Sequence, residues 1–298
     1  ADLENKYNAV IGVYAVDMEN GKKICYKPDT RFSYCSTHKV FTAAELLRQK
    51  NTSDLNEIRK FSAEDILSYA PITKDHVADG MTLAEICSAS LRWSDNTAAN
   101  LILQEIGGVE NFKVALKNIG DKTTKPARNE PELNLFNPKD NRDTSTPRQM
   151  VKNLQVYIFG DILSDDKKKL LIDWMSDNSI TDTLIKAETP QGWKVIDKSG
   201  SGDYGARNDI AVIYPPNRKP IVMAIMSRRT EKNAKSDDAM IAEAAKRALK
   251  HKQFGLVFEE HLPECTPLYD IPVRKGLKVS VRNGKANETY TVLKIEDG

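Results

Sequence analysis

Strand-like runs stand at both ends of the first 250 or so residues, and a long stretch of helical periodicity separates them. Ile11 to Val16 reads as a buried strand pairing with Lys23 to Tyr26 across a turn at Glu19-Asn20-Gly21, with Leu3 to Tyr7 as the end of a short helix before it. From Ser36 to about Asn178 the pattern is mostly helical. Leu83, Ile86, Cys87 and Leu91, for example, fall at i, i+3, i+4 and i+8 and form one apolar stripe. Strand signals return after Gly192, at Val195-Ile196, Ile210 to Tyr214 and Ile221 to Met226, with Pro215-Pro216-Asn217 turning between the last two. Ser236 to Lys250 reads as an amphipathic helix. Strands at both ends of a helical insertion imply an α/β lobe built from two separated segments, residues 1–32 and 180–252, around an all-α lobe of residues 33–179. The cleft between the lobes is the expected place for a site.

Bulk composition narrows the class. The 298 residues are 40% hydrophobic and 29% charged, ordinary for a globular enzyme with a large core. The 44 basic and 42 acidic residues are well mixed and leave a net charge of +2, so neither a nucleic-acid stripe nor a membrane-surface helix is indicated. No segment approaches the roughly 18 apolar residues of a membrane span. The chain opens Ala1-Asp2-Leu3, with no Met and no charged-then-apolar leader, which suggests that an export signal has been removed. Cys25, Cys35, Cys87 and Cys265 lack zinc-ligand spacing and are too few to staple a chain this long, so buried free thiols are expected and no metal.

Several fragments carry chemistry. Helix propensity is high from Ser36 through Leu47, which puts Ser36 at or near a helix N-terminus, where free N–H groups favour developing negative charge. Lys39 follows one turn on, leading into a mostly apolar helix. Desolvation there disfavours its charged form and lets a neutral amine accept the serine proton. His38 points to another face and is expected at the surface or behind the site, not as a base. Ser94-Asp95-Asn96 opens another helix, with Asp95 structural and Trp93 as core or cleft wall. Taken singly, these fragments would pass for a snorkelling lysine and a helix cap.

Together they mean more. Ser36-Thr37-His38-Lys39, Ser94-Asp95-Asn96 and Lys198-Ser199-Gly200, in this order, resemble the signature of the penicillin-recognising serine enzymes, and Arg128-Asn129-Glu130-Pro131-Glu132-Leu133-Asn134 resembles the loop that carries the deacylating glutamate of the class A β-lactamases. The resemblance covers about residues 1–252 and implies their fold, an antiparallel sheet flanked by helices plus an all-α lobe. It implies hydrolysis of penicillins and early cephalosporins through a serine acyl-enzyme, conferring antibiotic resistance. It assigns Ser36 as nucleophile and Lys39 as its neighbour, Ser94 as proton shuttle to the lactam nitrogen, and Glu130 with Asn134 as the base and holder of the deacylating water. Whether Lys39 or Glu130 takes the serine proton in acylation stays open. Ser36 and Ser201 N–H groups would form the oxyanion hole. Tyr69 would line the cleft mouth, Asn96 would donate to the substrate's side-chain amide, and Lys198, Ser199 and Arg207 would hold its carboxylate, with Gly200 letting the ligand approach the backbone. Arg128 and Asp143 would close the neck of the glutamate loop. No cofactor is implied, nor any nucleic-acid partner; a monomer, secreted or periplasmic, is expected. Carbapenems are expected to turn over slowly, because Cys35 lacks the partner that carbapenem-hydrolysing members provide, Gly202 standing there. Cys87 likewise lacks its enterobacterial disulfide partner, since Ala43 occupies that position. The alternatives are a D-Ala-D-Ala carboxypeptidase or transpeptidase and a non-catalytic β-lactam sensor. Glu130 and Asn134 argue against both.

Residues 253–298 lie beyond the resemblance. Glu259-Glu260, His261, Pro263, Cys265, Pro267 and Pro272 precede two strand-like stretches, Leu277 to Val281 and Thr289 to Ile295, with a turn at Asn283-Gly284, a hairpin that is marginal by itself.

Overall fold

A computed structural model of the chain describes residues 2–253, 256–258, 278–283 and 286–291. Helix α1 (Asp2–Tyr7) leads into strand β1 (Ala9–Asp17), which returns as β2 (Lys23–Tyr26). Strand β3 (Phe32–Ser33) and a 3-10 turn, Cys35–His38, precede helix α2 (Lys39–Gln49). Strands β4 (Ile58–Arg59) and β5 (Met81–Thr82) lead to helices α3 (Leu83–Arg92), α4 (Asn96–Glu105) and α5 (Gly108–Asn118). Strand β6 (Thr144–Ser145), α6 (Pro147–Leu154) and α7 (Asp165–Trp174) follow, then β7 (Lys194–Gly202), β8 (Ala206–Tyr214), β9 (Ile221–Arg229) and α8 (Asp238–Gln253).

The main sheet runs β2-β1-β9-β8-β7, antiparallel throughout, so the first strand sits beside the last and the expected mixed α/β architecture is found. Strand β9 explains why its sequence reads as an unbroken apolar run. Ile221, Met223 and Ile225 face a core shared with Leu3, Met240 and Ile241 of α1 and α8. Val222, Ala224 and Met226 face the opposite core, which includes Tyr14, Leu46 and Met150. A strand covered on both faces has no polar side to alternate with, and each of its buried Val, Ile and Met side chains contributes about 1.5–3 kcal/mol by leaving water. Helix α2 packs against α3, α4, α5 and α7 and is buried from Lys39 to Leu47. Its Glu45 is tolerated there because it accepts from the Tyr157 hydroxyl (2.6 Å) and Arg48 Nε (2.7 Å).

The helices near the cleft start where their caps dictate. Thr82 and Glu85 form a reciprocal capping box on α3. Asp95 caps α4 by accepting from the Ala98 N–H at 2.9 Å. The stretch expected to be mostly helical, with the residues just before it, also contains two strand pairs of two residues each, Phe32↔Ser145 with Ser33↔Thr144 and Ile58↔Thr82 with Arg59↔Met81. Two residues carry no detectable alternation, so these pairs leave no periodicity to read. Trp93, expected as core or cleft wall, is 45% exposed at the C-terminal end of α3.

Past α8 the described residues form a small antiparallel sheet of β10 (Leu256–Phe258), β11 (Lys278–Asn283) and β12 (Ala286–Thr291). The β11–β12 pair matches the two strand-like stretches within a few residues, whereas β10 had no sequence signal. Gly284 of the expected turn, Val292 to Ile295, Cys265, His261 and the neighbouring prolines and glutamates lie outside the described residues. No helix among the described residues is long and apolar enough to cross a membrane.

Candidate active site

Six separate pieces of chain meet at one cleft of ≈ 380 Å³: the turn before α2, the connection between β4 and β5, the α3–α4 junction, the loop between Arg128 and Asp143, the turn after α7, and the β7–β8 edge. Ser36, Tyr69, Ser94, Asn96, Asn134, Ser199, Gly200, Ser201 and Arg207 line it, joined by Ile180, which the sequence did not single out. Lys39, Glu130 and Lys198 are buried just behind this wall.

Ser36 sits on the 3-10 turn because Cys35 adopts a left-handed backbone (φ 48°), rare for a residue with a side chain. Its hydroxyl donates to Glu130 Oε1 at 3.3 Å. The Lys39 ammonium reaches the same oxygen at 3.1 Å and also donates to the Ser94 carbonyl (2.8 Å) and Asn96 Oδ1 (2.6 Å), with Ser94 Oγ at 3.4 Å. Burial pushes Lys39 down from its ordinary range, with Glu130 opposing. Burial pushes Glu130 up, but the nearby Lys39 charge together with the hydrogen bonds from Lys39 and Asn134 and the smaller influence of His38 outweighs it, and the carboxyl ends below its usual range.

The loop holding Glu130 is fastened at several points. At its neck Asp143 is fully buried and takes the Arg128 guanidinium, the Tyr34 hydroxyl (2.9 Å) and the N–H groups of Ala127 (2.8 Å) and Arg128 (3.1 Å). Arg128 Nη2 also donates to the Leu135 carbonyl at 2.7 Å. Asn134 Nδ2 donates to Glu130 Oε2 (2.6 Å), while Asn134 Oδ1 is buried without a partner, an acceptor left facing the glutamate's surroundings. Asn100, absent from the sequence reading, clamps the Glu130 backbone at both ends. Its Oδ1 accepts from the Glu130 N–H (3.0 Å) and its Nδ2 donates to the Glu130 carbonyl (2.9 Å). The available signal is its spacing: Asn96 and Asn100 stand i, i+4 on α4 and share a face.

At the other wall Lys198 donates to Ser94 Oγ (3.0 Å) and the Ser199 carbonyl (2.9 Å). Burial first, then the neighbouring Lys39 and Arg207 charges, push it down to about 7. Arg207 is anchored by its own Nε to Asp238 Oδ1 at 2.6 Å, a partner on α8 that the sequence did not flag. Behind Lys198 lie two buried carboxyls. Asp197 accepts from Thr181 Oγ1 (2.7 Å) and Asp209 from the Ile185 N–H (3.1 Å), and each keeps one oxygen without a partner. Burial pushes Asp197 up to about 6, and burial with the Asp197 charge raises Asp209 well above the carboxylate range.

One expectation needs refinement. Gly200 was read as giving a ligand room, but a Cβ there would stand 2.9 Å from both the Ser36 nitrogen and Cys35 Cβ. Its bareness therefore serves first to let β7 pack against the serine turn. Of the two places expected for His38, at the surface or behind the site, it takes the second, buried between Tyr34 and Phe112. Asp95 fits its structural reading: besides capping α4 it accepts from the N–H groups of Ile72 (3.0 Å) and Thr73 (2.9 Å), tying down the segment that carries Tyr69. Cys25, Cys35 and Cys87 are buried thiols.

Residues 1–252 match the model of a family described as the beta-lactamase enzyme family. A beta-lactamase of Bacillus amyloliquefaciens is 49% identical over 247 residues, 83% of this chain and 81% of that protein. Beta-lactamase ROB-1 of Haemophilus influenzae is 47% identical over 255 residues, 86% and 84% of the two chains. The crystal structure of a class A beta-lactamase from Clostridium kluyveri superposes with a TM-score of 0.83 at 52% identity, covering 85% of this chain and 96% of that one.

Proposed function

The chain belongs to the class A serine β-lactamases, hydrolases of β-lactam antibiotics, and from that premise we propose that penicillins are its main substrates and that Ser36 and Glu130 divide the reaction between them. In acylation Ser36 Oγ attacks the lactam carbonyl, and the tetrahedral oxygen is held by the N–H groups of Ser36 and Ser201. The serine proton leaves toward Glu130 Oε1, its hydrogen-bond partner at 3.3 Å, with the desolvated Lys39 beside that oxygen as a second acceptor. As the lactam C–N bond breaks, its nitrogen takes the Ser94 hydroxyl proton; Lys39 or Lys198, which flank Ser94 Oγ, replaces that proton, and the serine's proton returns from Glu130 to Lys39 across their 3.1 Å contact.

Deacylation has no such reserve. Water must be activated next to the ester, and Glu130 with the unpartnered Asn134 Oδ1 supplies both a base and an acceptor for the water's second proton. That pairing is the observation that carries the reading, because an acylating enzyme without it would trap the antibiotic. Lys198, Ser199 and Arg207 provide the carboxylate end of the cleft, Tyr69 and Asn96 the side-chain end, with slow turnover of carbapenems. The protein acts as a monomer outside the cytoplasm, secreted or periplasmic, in α/β (1–32 and 180–252) and all-α (33–179) lobes.

Intact-mass spectrometry with benzylpenicillin tests the division of roles. Ser36→Ala is expected to take no label, and Glu130→Gln to take one equivalent and hold it. Rapid loss of the label from Glu130→Gln would overturn the assignment.

A further inference from the structure

The ring of His38 belongs to none of the steps above, yet it touches the peptide group from which the nucleophile hangs. Nδ1 of His38 lies 2.8 Å from the Cys35 carbonyl oxygen. A carbonyl only accepts, so Nδ1 carries the proton and the ring donates. Tyr34 and Phe112 enclose the ring, at 5.4 and 6.5 Å between centroids. Burial in that setting pushes the imidazole down to about 4, which leaves it neutral in the working pH range.

The Cys35 carbonyl and the Ser36 N–H are the two ends of one planar peptide unit. A hydrogen bond accepted at the oxygen draws density from the nitrogen and strengthens the N–H as a donor, and it does so most where the dielectric is low. That same peptide follows a residue held in the left-handed region, Cys35 at φ 48°, so its orientation depends on what fastens it. Gly200 packs its backbone against the Ser36 nitrogen from the other side.

The geometry points to His38 as a positioning residue that orients and polarises the Cys35–Ser36 peptide, making the Ser36 N–H a stronger oxyanion donor. This rests on the reading of that N–H as half of the oxyanion hole. Both half-reactions pass through a tetrahedral oxygen in the same hole, so removing the donor slows acylation and deacylation together. A complete oxyanion donor is worth about 100- to 1,000-fold. Polarisation changes a hydrogen bond by about 10–30%, so the expected loss is roughly two- to eightfold in each step.

Three forms are compared: the unsubstituted protein, His38→Phe, which keeps the ring volume without a donor, and His38→Asn, whose amide nitrogen sits near the position of Nδ1. The benzylpenicillin acyl-enzyme of each, trapped in the Glu130→Gln background, is examined by infrared difference spectroscopy. The ester carbonyl band is expected to rise in frequency in His38→Phe and to return in His38→Asn, with the rates following the same order. A band that stays put while the rates or the melting temperature fall would reduce His38 to packing and overturn the proposal. Two NMR readings do not need the ester. In the unsubstituted protein the ¹⁵N shifts of His38 should mark Nδ1 as protonated, and the Ser36 amide proton should move upfield in His38→Phe. A protonated Nε2 with a bare Nδ1, or an unmoved Ser36 amide, overturns the proposal even if His38→Phe folds poorly. Failure to form any ester in the Glu130→Gln background tells instead against Ser36 as nucleophile, and the amide shift then decides His38 alone.

Discussion

Replacing Asn100 by alanine removes both hydrogen bonds that clamp the backbone of Glu130, at 3.0 and 2.9 Å, while leaving every group at the cleft wall in place. Each bond contributes about 0.5–1.5 kcal/mol net, so the clamp as a whole contributes about 1–3 kcal/mol to holding the glutamate in register. At 1.36 kcal/mol per decade that range corresponds to roughly five- to 150-fold in any step that requires the held position. Deacylation requires it, because the water must lie between Glu130 and the ester. Acylation depends on it less, since Lys39 stays fixed by the Ser94 carbonyl and Asn96. Stopped-flow turnover of a chromogenic cephalosporin should therefore show deacylation slowed about 10- to 100-fold, acylation slowed by less than about tenfold, and a burst approaching one equivalent of enzyme. The decisive comparison is a double-mutant cycle on the rate of label loss. In the Glu130→Gln background, Asn100→Ala should add less than about twofold, because Asn100 acts only through Glu130. Full additivity of the two substitutions would refute the clamp.

Other outcomes follow from the same geometry. With Lys198 pushed down to about 7 in the free protein, its charge is present below that pH and lost above it, so kcat/KM for a carboxylate-bearing penicillin should fall as pH rises through about 7. Lys198→Arg should flatten that limb, and an unchanged profile would remove Lys198 from carboxylate binding. Asp197 is raised to about 6 in the folded state and Asp209 is raised as well, so the contribution of each to stability is complete below the unfolded carboxylate value and is lost as pH rises through its folded value, about 6 for Asp197. Asp209→Asn should consequently stabilise the protein more at pH 8 than at pH 4 in denaturant melts, and an equal effect at the two pH values would refute the raised carboxyl. A chain ending after Gln253, the last residue of α8, should fold and keep kcat/KM within about threefold, as every residue assigned a chemical role lies no later than Arg207. Loss of more than tenfold would make the C-terminal strands part of the working fold.

What could be read before the structure was seen divides by how far the controlling contact lies along the chain. Strands β1, β2 and β9 and helices α3 and α8 announce themselves because period, turn residues and caps are local properties. The tripeptides that meet at the cleft are legible as a set, although nothing in their spacing says how near they come. Asn100 and Asp238 stayed hidden because each acts on a residue about 30 positions away, and a single polar residue on a helix has no distinguishing pattern. Which of its two expected places His38 takes, the surface or behind the site, was not legible, since Phe112, some 70 residues later, is what covers it. Gly200 was misread for a related reason. A missing side chain does not say which neighbour needs the room, and here the nearest is the serine turn itself.

The sheet order also sets a timetable for synthesis. Strand β1 lies between β2 and β9, and every register pair it makes on one side waits for residues 221–229. At about 5–20 residues per second, the β1–β2 hairpin leaves the ribosome roughly 10–40 s before its second partner exists. Throughout that interval it carries an open hydrogen-bonding edge of apolar residues, the kind of edge that recruits strands from other chains. The helical lobe, rich in local contacts, faces no such wait. A nascent chain of this design is therefore most exposed to mispairing before its own last strand arrives, and the demand for a holding factor falls on the N-terminal hairpin rather than on the cleft.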